Sequence, residues 1–252
     1  MLIDYFANLN YQQALRSYQD FSDKRDWPIR CRLKLYNLAK KAFKTNVAQT
    51  ERENAFSTLF RELECHWQVF RKNPPIWSPE YTFRIFQNLP ERVSRQSNLT
   101  LMTLSKDDYD RVLIEGVLEQ LRNFKPNKEF PWMAVSKFLH FYNPSLFPIW
   151  DKCWIWDVVM QKTFKQEYRT WCKENAFKPN ETSKVFNYQY TLWASEYIHR
   201  ASADFMSFFE KWFQEQVKGV ENENHTLDDV HVYYATAFEF VVLGAADSLT
   251  HR

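Results

Sequence analysis

Glycine is almost missing from this chain of 252 residues: Gly116, Gly219 and Gly244 are all there are, and no two are neighbours. Loops that wrap phosphates need glycine for positive φ and close backbone approach, so P-loop and Rossmann nucleotide sites are excluded by residue supply. No nucleotide cofactor is expected. Cysteine is also sparse, with Cys31, Cys65, Cys153 and Cys172 forming no CxxC pair. They read as free thiols of a reducing compartment. Cys65 and His66 are adjacent but diverge on a helix and have no second ligand pair, so no zinc or other metal is expected. No stretch approaches the ~18 apolar residues that a membrane span requires. The start, MLIDYFANLNYQQ, lacks the basic and apolar regions of a secretory signal. A soluble, cytoplasmic protein with no membrane partner is therefore expected. There is no internal repeat and no low-complexity tract.

Aromatic residues are plentiful, at 18% of a chain that is 45% hydrophobic. That is enough to bury a sizeable core. Net charge is only +2, but residues 1–200 hold 30 Lys+Arg against 22 Asp+Glu, and residues 201–252 hold 3 against 9. The parts sum to +8 and −6. A basic face for a polyanion beside an acidic end is compatible with this asymmetry.

Helical periodicity dominates and predicts an all-α fold. Residues from Pro28 to about 44 form one helix. Thr50 and Glu53 give a capping-box pattern ahead of Phe56, Leu59, Phe60, Leu63, Trp67 and Phe70. Residues 76–104 read as a proline-rich connector, with LTLMTL as a minor extended segment. Ser105 then caps a helix running to about 124. Further helices are expected at 132–142, from Asp151 onward, at about 166–175, 183–199 and 202–217, and finally at 228–248. The implied organisation is a basic N-terminal helical region (1–75), the connector (76–104), a helical core (105–218), and an acidic linker with a C-terminal helix (219–252).

The most informative stretch is KFLHFYNPSLFPIWDKCW, residues 137–154. Thirteen uncharged residues lie between Lys137 and Asp151, and Trp150, Trp154 and Trp156 surround the aspartate. A carboxylate in that setting is a helix cap, half of a buried pair, or a reactive group. Helix 105–124, a Lys- and Pro-bearing turn, helix 132–142, a Pro-framed loop and an aspartate opening a helix follow in order. This order, with FPIWDKCW after it, resembles the helix-hairpin-helix DNA glycosylase superfamily over about residues 105–165. The resemblance implies a helical DNA-binding fold in which Asp151 stabilises an oxocarbenium-like sugar as a flipped base departs. Two departures limit what it implies. EFPWMAVSK has no glycine where the family hairpin reads Gly-x-Gly. Pro131, Trp132 and Met133 stand where bifunctional members carry a nucleophilic lysine, Lys128 and Lys137 being out of register. The implied enzyme is monofunctional, with water as nucleophile and no cofactor. The alternative is a non-catalytic helical module that binds nucleic acid or a protein partner.

His140, between Phe138 and Tyr142, is the second catalytic candidate if it faces the same cavity as Asp151, since imidazole titrates near neutral pH. Otherwise it is a hydrogen-bonded core histidine. Candidate DNA contacts around the hairpin are Lys125, Lys128, Trp132 and Ser136. Lys137, Trp150 and Lys152 extend them toward the loop. One of Trp132 and Trp150 is the ring expected to meet an everted base. Arg30, Lys34 and Lys41, on the basic stretch KRDWPIRCRLKLYNLAKKAFK, are expected to meet phosphates. EYIHR places Glu196 and His199 at the i, i+3 spacing of di-iron bundles, but the remaining ligands are missing.

Overall fold

The computed structural model describes residues 16, 18–20, 29–65, 78–95, 97–108, 117, 132–151, 155, 157, 159, 162–176, 183–200, 204–217 and 234–250. Among them the fold is mainly helical and contains no strand. Helix α1 (Ile29–Phe43) turns through Lys44–Ala48 into α2 (Gln49–Cys65). The two pack side by side along their length. α1 buries Leu35, Tyr36, Ala39, Ala42 and Phe43, and α2 buries Ala55, Phe56, Leu59, Phe60 and Leu63. Both sets recur every three or four residues, the spacing of one helical stripe. α2 begins one residue before Thr50, so the expected capping box does not form. Glu53 instead accepts a bond from the Gln49 side chain at 2.8 Å.

The 76–104 stretch is not a connector. It holds α3 (Pro79–Gln87), started by Ser78, whose hydroxyl accepts from Tyr81 N–H at 3.1 Å, with Pro79 at the first position. Proline is well suited there, because its missing N–H has no intrahelical acceptor to lose. Phe83 and Phe86 of α3 lie against Phe43 and Phe56 in a buried aromatic cluster. The segment therefore belongs to the core. LTLMTL is a turn rather than a strand, held by Leu101 N–H on Ser145 C=O at 2.8 Å. Ser195 donates to Leu101 C=O at 2.6 Å, and His199 reaches Met102 C=O. Ser105 caps as expected: its hydroxyl accepts from Asp108 N–H at 3.1 Å and donates to the Asp108 carboxylate at 2.7 Å. Of the helix predicted beyond Asp108, only Val117 lies within the described residues.

Helix α4 (Trp132–Tyr142) runs through the centre, with α1 and α6 (Ser183–Arg200) packed on it. Its residues 134–142 are all buried. Phe138 lies against Phe56, Phe60 and Phe86. Helix α5 (Lys165–Glu174) contributes Tyr168, whose ring meets Trp193 of α6 edge-on at 5.9 Å. Helix α7 (Asp204–Val217) and helix α8 (Tyr234–Thr250) complete the fold. Phe209 and Phe213 of α7 contact Phe240 of α8, and Phe238 of α8 contacts Trp193. The C-terminal helix is thus part of the core. The expected acidic linker GVENENHT, residues 219–226, and the expected start of the last helix at about 228 lie outside the described residues.

Candidate functional site

The segment from Asn143 to Asp151 is a core loop, not a surface one. Asn143 donates to Val93 C=O and Ser94 C=O at 3.1 and 3.0 Å, and its side-chain oxygen accepts from Ser145 N–H at 3.1 Å. Leu146 to Trp150 are buried. Ser136 of α4 grips the end of the loop: its hydroxyl accepts from Trp150 N–H at 3.1 Å and shares its one proton between Trp150 C=O and Met133 C=O, each 3.0 Å away. The Trp150 ring is 3% exposed and tilts against Tyr190. Ser136 and Trp150, expected as DNA contacts, are therefore packing elements. Burying them satisfies the loop backbone and the indole surface together.

Asp151 differs from the residues before it. Its side chain is 24% exposed, and Oδ2 lies 3.6 Å from Nζ of Lys137, whose side chain is 9% exposed. The two charges that bracket the uncharged run thus meet. The Lys137 side chain is buried rather than extended into solvent, so its expected role as a phosphate contact is corrected to that of a partner of Asp151. The Asp151 carbonyl accepts from Ile155 N–H at 3.0 Å. Farther on, Phe164 N–H bonds to Val159 C=O at 2.8 Å, five residues back.

His140 is fully buried, and both ring nitrogens are engaged. Nδ1 lies 2.8 Å from Phe147 C=O, which can only accept, so Nδ1 carries the proton. Nε2 then accepts from the Tyr36 hydroxyl at 2.8 Å, and that oxygen accepts from Thr236 Oγ1 at 2.9 Å. Burial pushes the Tyr36 hydroxyl up to about 12, with Glu239 adding to the shift, so it stays protonated. Burial pushes His140 down to about 3, helped by the Arg32 and Arg95 charges. A sealed, neutral imidazole with no nitrogen to spare cannot serve as a general base. The catalytic expectation for His140 is corrected to a structural one: it ties α1, α4, the loop and α8 together.

This predicts a pH dependence of stability. The folded value lies below the ordinary 6.5, so below that pH the unfolded chain holds a proton that the native state does not. The stabilisation is complete above about 6.5 and is lost as pH falls toward about 3, at roughly 1.4 kcal/mol per pH unit. In urea titrations, wild type should lose roughly 2 kcal/mol more than His140→Gln between pH 7 and pH 5. Equal losses would contradict the assignment.

Lys34 is exposed and bonds Glu62 at 2.7 Å, and Lys41 is exposed and lies 2.5 Å from Glu51. Acids of α2 thus neutralise part of the basic face of α1. Lys125, Lys128 and Lys152 lie outside the described residues, as do the side chains of Arg30 and Trp132. Among the described residues no group of three or more His, Cys, Asp and Glu could hold a metal ion. No described helix is long and apolar enough to cross a membrane.

One pair was missed in the sequence. Arg32 of α1 forks onto Glu239 of α8, with bonds of 3.2 and 2.9 Å, both side chains buried and the guanidinium 5.0 Å from the Phe240 ring centre. Burial is the largest single influence and opposes the Arg32 charge, but Glu239 together with the Tyr18 and Tyr36 hydroxyls holds the guanidinium above its ordinary value. The available signal was a single carboxylate in the apolar run YATAFEFVVLGAA, since such a charge is paired if the helix is buried. Comparison of the chain with protein-family models, curated proteins and solved structures finds no match.

Proposed function

We propose that the protein binds DNA and excises a base by hydrolysing its N-glycosidic bond, with Asp151 as the catalytic group. The carrying observation is the partial exposure of the Asp151 carboxylate at the end of a buried, hydrogen-bonded loop. A fixed negative charge suits a reaction whose transition state gathers positive charge on the sugar. As C1′–N cleaves, the bonding pair leaves with the base, and the carboxylate stabilises the oxocarbenium-like ring. Water adds to C1′ and releases a proton, leaving an abasic site. The resemblance of residues 105–165 to helix-hairpin-helix glycosylases supports the same reading, and the lack of a lysine in the lyase register leaves water, not an amine, as the nucleophile.

A second reading, a non-catalytic helical module that binds a protein partner, is favoured by the burial of Ser136 and Trp150 and by the Lys34–Glu62 and Lys41–Glu51 pairs. The two part on salt dependence. A DNA-binding protein should show log K falling with log salt by about 0.9 per phosphate neutralised. In a titration of duplex binding between roughly 50 and 200 mM salt, a steep negative slope is expected. A flat response from folded protein would favour the protein-partner reading. Duplexes bearing damaged or modified bases, treated with alkali after incubation, then report whether abasic sites form.

A further inference from the structure

We infer that Lys137 is a positioning residue for Asp151: its ammonium holds the carboxylate from the protein side, a role that rests on the excision reading above. The side chains are unequal, since Lys137 is 9% exposed and Asp151 24%, with Nζ and Oδ2 3.6 Å apart. The cation is thus the inner member and the carboxylate the outer one. A lysine that binds phosphate needs its ammonium in solvent; one buried along a central helix needs a counter-charge, because an uncompensated charge there is costly.

The neighbouring residue acts in the same register. Ser136 holds the backbone of Trp150 chiefly by accepting from its N–H, its own proton being shared between Trp150 C=O and Met133 C=O. Two consecutive residues of α4 therefore fix two consecutive residues of the loop, Ser136 the backbone and Lys137 the carboxylate. α4 is a rigid support for this, as its residues 134–142 are all buried. Misplacing a catalytic group by about 1 Å costs up to about 10²-fold in rate, so loss of the ammonium should be felt in chemistry rather than in binding.

The test uses the full chain and a duplex substrate that the wild type cleaves. Lys137→Met should lower the single-turnover excision rate about 10–100-fold, leaving duplex affinity within about 2-fold and the salt slope unchanged. Lys137→Arg should restore most of the rate. In an Asp151→Asn background, Lys137→Met should cost nothing further, because the group it positions is gone. If Lys137→Met does not fold, Lys137→Gln serves for the same comparisons, being polar without charge. Weakened binding with a salt slope reduced by about one, at an unchanged saturated rate, would make Lys137 a phosphate contact and overturn the assignment. So would a borohydride-trapped adduct on Lys137, which would make it a nucleophile. A wild type that leaves every duplex intact sinks the excision reading itself, whereas an active wild type with an equally active Lys137→Met sinks the positioning role alone.

Discussion

Glu239→Ala should lower the unfolding free energy by about 3–5 kcal/mol. The carboxylate accepts both arms of the Arg32 guanidinium inside the protein, and its removal leaves a charge against the Phe240 ring without its counter-ion. The loss is mainly that of a stranded charge, not of the pair's own net attraction, which burial largely offsets. The double variant Arg32→Met/Glu239→Leu should therefore recover most of the stability, although it removes more polar groups. Tyr36 and Tyr190 report the same carboxylate, since Glu239 adds to the burial that raises both hydroxyls. At about 2–4 °C per kcal/mol for a chain of this size, Glu239→Ala should melt roughly 6–20 °C lower. A loss below about 1 kcal/mol in urea titration would show that the pair is dispensable.

The helical class was legible because apolar residues recur at 3.6-residue spacing, as in Phe56, Leu59, Phe60 and Leu63. The Ser105 cap and the bounds of α4 were legible for similarly local reasons, a hydroxyl before two aspartates and a Pro144 stop. α3 was missed because prolines were read as breakers. Pro79 follows a capping serine and so starts a helix. Thr50 failed as a cap because α2 opens a residue earlier, at Gln49.

The candidate site was legible as a composition but not as a geometry. An uncharged run bounded by Lys137 and Asp151 suggests an unusual loop, yet nothing local says that its two ends close on each other. Whether His140 faces solvent or core depends on Tyr36 and Thr236, which are 104 and 200 residues apart from their partners. Arg32 and Glu239 lie 207 residues apart. Spacing rules do not reach such distances; only the packing of α1, α4 and α8 makes them neighbours.

Asp151→Asn carries the largest expected effect on activity. The amide keeps the size of the carboxylate and removes its charge, so the fold and the duplex affinity should be retained while the stabilisation of the sugar cation is lost. Removing a single group aimed at transition-state charge typically costs about 10²–10³-fold. The most direct measurement is the rate of alkali-labile abasic sites formed in one duplex by wild type and by Asp151→Asn, with enzyme in excess. The excision account predicts sites accumulating with the wild type and a fall of about 10²–10³-fold with the variant. Equal rates for the two proteins, or intact DNA with folded wild type across the modified duplexes, would contradict it.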